Sequence, residues 1–276
     1  MVEPLVDSNE ALLQTLLNEI HSSRKYRGLN LPEETLRDLL DQALAHQPNA
    51  KAALKSVREK LHNIVAPYLG DPDYASAEQI LSNAYASGRA ELEKSACLEL
   101  LNAHASTRER IALFDKFYSN LWQVTGKPGI LLDLACGLHP FSLPWMDLPA
   151  TTAYYAYDIH TPRVGLINHF FKLAGQAGKA FVQDILVQPP KIESDVALFF
   201  KEAHRFEQRQ HGCNRQFWQA LNVRWLLVSL PTKSLTGRRN LVDRQRRLVY
   251  ESLKGLSWPV SELRFENELV FCIQKQ

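Results

Sequence analysis

Apolar positions in the first hundred residues recur at helical spacing. In "EALLQTLLNEIHSS", Leu12, Leu13, Leu16, Leu17 and Ile20 fall on one stripe, and "PEETLRDLLDQALA" repeats the pattern after Pro32, whose fixed φ suits a first helical turn. "NAKAALKSVREKLHNIVAPYL" is a third such segment, ended by Pro67 and the "GDPD" turn at 70–73. Residues 1–103 therefore read as a helical domain. Further on, Ser106 followed by Glu109 is a capping-box pattern, which predicts a helix starting in "HASTRER" and running through "IALFDKFYSNLW".

The pattern changes after Lys127. "GILLDLA", "AYYAYDI", "KAFVQDIL", "DVALFF" and "RWLLVSL" are short apolar runs separated by turn or helix-like segments, as parallel strands covered on both faces require. "VSELRFENELVFCIQK" holds two β-like runs joined by a short polar link, which predicts an antiparallel pair closing the sheet. Residues 104–276 thus read as an open α/β sheet.

Composition narrows the classes. A chain of 276 residues that is 45% hydrophobic can bury one ordinary core and a smaller appended one. No apolar run approaches the ~20 residues of a membrane span, and "MVEPLVDSNEALLQ" lacks a basic-then-apolar leader, so no membrane association and a cytoplasmic location are expected. Cys97, Cys136, Cys213 and Cys272 form no C-x-x-C pair, so free buried thiols are expected rather than a zinc site or disulfides. No metal-ligand cluster stands out.

Charge is segregated. Between Lys201 and Lys254 there are 12 Lys/Arg against 4 Asp/Glu, a local balance of +8 that leaves −6 for the rest of a chain whose formal net charge is +2. Such a segment suits a polyanionic partner, and equally a solvated arginine-rich helix face. In "SSRKYRGL", Arg24, Lys25 and Arg27 bracket Tyr26, a pattern that suits RNA phosphates and bases as well as an ordinary polar loop.

In open α/β sheets ligands sit beyond the carboxyl ends of the strands, so the polar residues ending each run are the ones to question. Asp133 lies within the first run, Asp158 ends the second and Asp184 the third. Gly137 permits close backbone approach. Asp158 is placed to accept from two ribose hydroxyls, and Asp184, with Gln183 beside it, from an adenine amine. "ACGLHP" has one glycine instead of G-x-G-x-x-G, which argues against a pyrophosphate. S-adenosylmethionine offers adenosine without phosphate, and a methionine end bearing an amine, a carboxylate and a sulfonium. Asp133 suits the amine or the turn that holds it, and Arg110 suits the carboxylate. Each acid taken singly also fits a helix-capping role.

Together these residues resemble the aminoglycoside-resistance methyltransferases that modify N7 of guanine 1405 in 16S ribosomal RNA. "SSRKYRGL", "HASTRER", "LLDLACGLHP", "YDIH", "VQDIL", "LFFK" and "VSLPTKSLTGR" follow in the family's order and cover most of the chain. The resemblance implies a Rossmann-like S-adenosylmethionine-dependent methyltransferase core with an N-terminal helical domain that docks on the 30S subunit; a monomer is expected. It implies that His104, Ala105, Ser106, Arg110, Ala135, Asp158, Gln183 and Asp184 line the S-adenosylmethionine pocket, with Tyr68 and Gln210 as further contributors. Arg24, Lys25 and Arg27 are expected to contact rRNA from the helical domain, and Lys201, Lys233, Arg238 and Arg239 to surround the target.

Two stretches depart from the family pattern. His139 stands where "LACGLNP" has Asn, and Lys201 is followed by Glu202, Ala203 and His204 where the family continues "FKLLP". The second departure falls near the expected entrance of the target base. Guanine N7 offers a lone pair that is unprotonated near neutral pH, so no general base is expected and catalysis is chiefly positioning. Methylation of an exocyclic amine or of cytosine C5 is disfavoured, because no "(D/N/S)PP(Y/F/W)" turn follows the fourth strand and no Pro-Cys turn exists. The alternatives are a methyltransferase for another RNA position or a small molecule, and a non-catalytic RNA-binding protein retaining the fold.

Overall fold

A computed structural model describes residues 4–23, 31–65, 71–233 and 240–275. Three helices open the chain: α1 (Pro4–Ser22), α2 (Glu33–His46) and α3 (Ala50–Val65). Their apolar stripes pack on one another, with Leu17, Ile20, Leu39, Leu40, Val57 and Leu61 at the centre of a separate cluster. Next come α4 (Tyr74–Ala86), α5 (Ala90–Ala103), α6 (Ala105–Ile111) and α7 (Phe114–Thr125).

The sheet follows: β1 (Ile130–Leu134), β2 (Ala153–Asp158), β3 (Gly178–Val182), β4 (Ser194–Phe200), β5 (Val223–Pro231), β6 (Val260–Arg264) and β7 (Glu268–Gln274). Its order is β3-β2-β1-β4-β5-β7-β6, with the first five parallel and β7 antiparallel to both neighbours. All seven strands coincide with the apolar runs read from the sequence. The strand order reverses between β1 and β4, which puts the ligand-binding switch point beside Asp133.

Helix α8 (Thr161–Leu173) covers one face with α4, α5 and α7, while α9 (Ala203–Arg209), α10 (Cys213–Ala220) and α11 (Val242–Leu253) cover the other. Helices α4 and α5 therefore belong to the core of the sheet: Ala77, Leu81, Cys97 and Leu101 share a cluster with Phe141 and Phe170. The helices α1 to α3 share one apolar cluster, and α4 and α5 share the next with the sheet. Periodicity reveals a stripe but not the surface that the stripe meets.

The capping box is not formed. Helix α6 starts at Ala105 with His104 in the capping position, and the helix stops at Ile111 before α7 begins. The hydroxyl of Ser106 lies 2.8 Å from His104 Nδ1, which removes it from a capping role. Thr107 donates its hydroxyl to the carbonyl of Leu101, in the last turn of α5, at 2.6 Å. All four cysteines are buried and free. Among the described residues, no helix is long and apolar enough to cross a membrane.

Candidate active site

A cavity of about 540 Å³ opens at the carboxyl ends of β1 to β4. The turns that shape it use left-handed backbone: Ala135 (φ 52°) and Gly137 (φ 58°) after β1, and Lys201 (φ 60°) after β4. Glycine adopts this conformation without penalty, whereas Ala135 and Lys201 each cost on the order of 1–2 kcal/mol. Strain of this kind is retained where the surrounding structure holds a functional turn in place.

At the end of β1 the polar groups satisfy one another. Asp133 is buried, and its Oδ2 accepts from Tyr154 Oη at 2.6 Å and from His139 Nδ1 at 2.8 Å. His139 Nε2 lies 2.9 Å from Tyr118 Oη. Tyr118 donates to Ser142 Oγ at 2.5 Å, and Ser142 returns to the His139 carbonyl at 2.6 Å. Burial and the neighbouring Asp133 push the Tyr154 phenol well above its ordinary range, so it stays a donor. Through His139, Asp133 is tied to the turn that follows β1. His139 is the piece that ties this turn to α7.

The acids after β2 and β3 are gripped by arginines. Asp158 accepts from the Gly137 N–H (3.0 Å), the His160 N–H (2.9 Å) and Arg163 Nη1 (3.0 Å). Arg163 reaches on to both oxygens of Asp71 at 2.7 Å. Asp184 accepts from Arg209 Nη1 (2.6 Å), Thr35 Oγ1 (2.8 Å) and the Leu186 N–H (3.1 Å). Arg209 Nη2 also binds Asp38 at 2.7 Å, so Asp184 ties the sheet to α2. Oδ1 of each acid accepts a single backbone bond, leaving acceptor capacity for a hydroxyl or an amine.

On the opposite wall Arg110 lies 4.8 Å from the ring of Phe117 and 4.7 Å from that of Phe200. It binds Glu268 through Nε at 3.2 Å and Nη2 at 2.6 Å. Both partners are buried. Burial opposes the charge on Glu268, but Arg110 and Lys201 overcome it and hold the carboxyl below its usual range. Lys201 is itself buried, 2.8 Å from Glu109 and 3.8 Å from Glu268. Lys201, expected to surround the target, is thus engaged in internal pairs.

The end of β4 is the reverse of the end of β1. Glu202 lines the cavity, yet among the described residues its carboxylate has no hydrogen bond, and Arg205 Nε at 3.6 Å is its nearest cation. Burial raises this acid to about 7, against the pull of Arg205. His204, also in the lining, has its Nδ1 buried without a partner; burial, with Arg205 and Arg244, pushes it down to about 4.

Nine of the twelve residues expected around the cofactor line the cavity: His104, Ser106, Arg110, Asp133, Ala135, Gly137, Asp158, Gln183 and Asp184. Ala105 is exposed outside the lining, and Gln210 is exposed and receives a bond from Gln42 at 3.2 Å. Tyr68, Arg24, Lys25, Arg27, Arg238 and Arg239 lie outside the described residues, while Lys233 is exposed and forms a β-bridge with Asn240. Arg163, Arg209 and Glu268 were not expected. Arg163 has a local signal, five residues after Asp158 at the start of a helix, whereas Glu268 has none.

Strand order, switch point and the acids converging on one cavity define a Rossmann-like methyltransferase. The chain belongs to the ribosomal RNA methyltransferase (FmrO) family, whose model matches residues 22–272. It is 31% identical to a 16S rRNA (guanine(1405)-N(7))-methyltransferase of Micromonospora echinospora, over 93% of this chain and 94% of that one. A protein of the same name from Proteus mirabilis is 26% identical, over 97% and 99%. Among solved structures, the 16S rRNA methyltransferase RmtF in complex with S-adenosyl-L-homocysteine superposes with a TM-score of 0.78 at 27% identity, covering 96% of this chain and 98% of that one.

Proposed function

We propose that this chain is a 16S rRNA (guanine 1405-N7)-methyltransferase that acts on the 30S subunit in the cytoplasm, as a monomer, and confers aminoglycoside resistance. The observation that supports this most is the convergence of Arg110, Asp133, Asp158 and Asp184 on one cavity, in a chain of the rRNA methyltransferase family.

The donor set fits S-adenosylmethionine, which when bound supplies a methyl group on a positively charged sulfur. Asp158 would hold the ribose hydroxyls, and Asp184 with Gln183 the adenine amine. Arg110, its orientation held by Glu268 and the two phenylalanine rings, would bind the methionine carboxylate. Asp133 and His139 keep the β1 turn rigid, so that the backbone at Ala135 and Gly137 meets the ligand without rearrangement. No residue has to remove a proton from the acceptor, because N7 offers its lone pair directly. The work left to the protein is to hold the base in line and to exclude water.

Docking on the subunit is assigned to residues 1–103, with Arg24, Lys25 and Arg27, and to the segment around Lys233, Arg238 and Arg239. To test the assignment, 30S subunits from cells expressing the chain are treated with borohydride and aniline, and cleavage is mapped by primer extension. A stop at guanine 1405, together with growth on aminoglycosides, is expected. Cleavage at another guanine, or none, refutes the target.

A further inference from the structure

The cavity contains four acids, and three of them are already satisfied. Asp133 accepts two side-chain donors, and Asp158 and Asp184 accept three donors each. Glu202 accepts none among the described residues, although its side chain is only 24% exposed. A half-buried carboxylate without donors is costly, and a fold retains it where a ligand supplies what the protein does not.

We propose that Glu202 recognises the Watson–Crick edge of the target guanine, its two oxygens accepting from N1–H and N2–H of the base. The inference rests on the guanine-methyltransferase reading above. Guanine presents these two donors side by side on the ring edge opposite N7, which leaves N7 free to face the methyl donor. Adenine and cytosine place an acceptor beside their amine, and uracil flanks its one N–H with acceptors, so a carboxylate at this position selects guanine. The position also suits the approach of a base. Asp158, Gln183 and Asp184 occupy the β2 and β3 side of the cavity and Arg110 the α6 side, so the acceptor must enter on the β4 side, where Glu202 opens α9.

Charge adds a second role. As the N7 lone pair becomes the new N–C bond, the electrons of the broken C–S bond stay on sulfur and the guanine becomes cationic; no proton moves. Its N1–H and N2–H then donate more strongly, so the contact with Glu202 tightens as transfer proceeds and favours the transition state. The charged groups facing Glu202 are Arg205 on its own helix, Asp158 at the end of β2 and Arg163 on α8.

The test compares native protein with Glu202→Gln and Glu202→Ala in methyl transfer to purified 30S subunits across pH, with S-adenosylmethionine affinity measured separately by calorimetry. Loss of one two-pronged base contact predicts that kcat/KM falls about ten- to a hundredfold in both variants, with cofactor affinity unchanged. The native rate should rise as pH passes through about 7, and that rise should be absent in Glu202→Gln. Unchanged kcat/KM in both variants overturns the inference. So does an equal loss of cofactor affinity, which would place Glu202 in the cofactor cradle. Native protein that methylates no guanine refutes the function itself and this inference with it.

Discussion

The carboxyl ends of β1 and β4 are neighbours in the sheet and handle their polar groups in opposite ways. After β1, Asp133, His139, Tyr118, Ser142 and Tyr154 form a closed, buried network. After β4, among the described residues, Glu202 has no hydrogen-bond donor and His204 leaves a buried nitrogen unpartnered. Both ends depart from the family motifs, yet with different results: the histidine at 139 is absorbed into structure, while the acid at 202 is left open. A closed network holds shape, whereas an open polar group at a cavity wall is available to a ligand.

Removing a partner from the closed side should do most damage. Asp133→Ala strands His139 and Tyr154 in the core and should cost about 3–5 kcal/mol, seen in calorimetry as a melting temperature lower by on the order of 10 °C. Glu268→Gln comes next, at roughly 2–4 kcal/mol near neutral pH, because Arg110 loses its charged partner. The depressed Glu268 stabilises the fold above the ordinary carboxylate value of 4.5 and loses that contribution as pH falls toward its folded value. The gap between native and variant in chemical unfolding should therefore narrow in acid.

The open side should respond with the opposite sign. Glu202 is raised from 4.5 to about 7, so the folded state binds the extra proton between these values and native stability declines as pH rises through them. Glu202→Gln should thus be more stable than native by roughly 1–3 kcal/mol at pH 8, and equal to it in acid, while transferring methyl groups poorly. A variant that is less stable at pH 8 would assign Glu202 to structure and erase the contrast with β1. His139→Asn sharpens the comparison from the other side: the shorter amide keeps Asp133 company but gives up Tyr118, at about 1 kcal/mol in thermal unfolding. Smallest in stability is Lys233→Glu, within about 0.5 kcal/mol. It should weaken rRNA methylation without altering cofactor affinity, and lower the salt dependence of subunit binding by about one charge.

What was legible in the sequence was local. Seven strands could be read because each is a short apolar run bounded by turn residues, and the cavity-lining acids because they lie at the ends of those runs. The remainder depended on partners far apart in the chain. Arg110 meets Glu268 158 residues away, and Asp184 meets Thr35 149 residues away. No spacing rule spans such distances, so neither these pairs nor the burial of Lys201 could be read. The capping box failed for a related reason: Ser106 had a competing partner in His104. The packing of α4 and α5 on the sheet was not legible either, because their apolar periodicity is the same as that of α1 to α3.

The most direct test of the account is transfer of labelled methyl from S-adenosylmethionine to purified 30S subunits, with the modified nucleotide mapped by primer extension. Stoichiometric incorporation at guanine 1405 is the result predicted. Saturable cofactor binding without incorporation into any guanine of the subunit would contradict it.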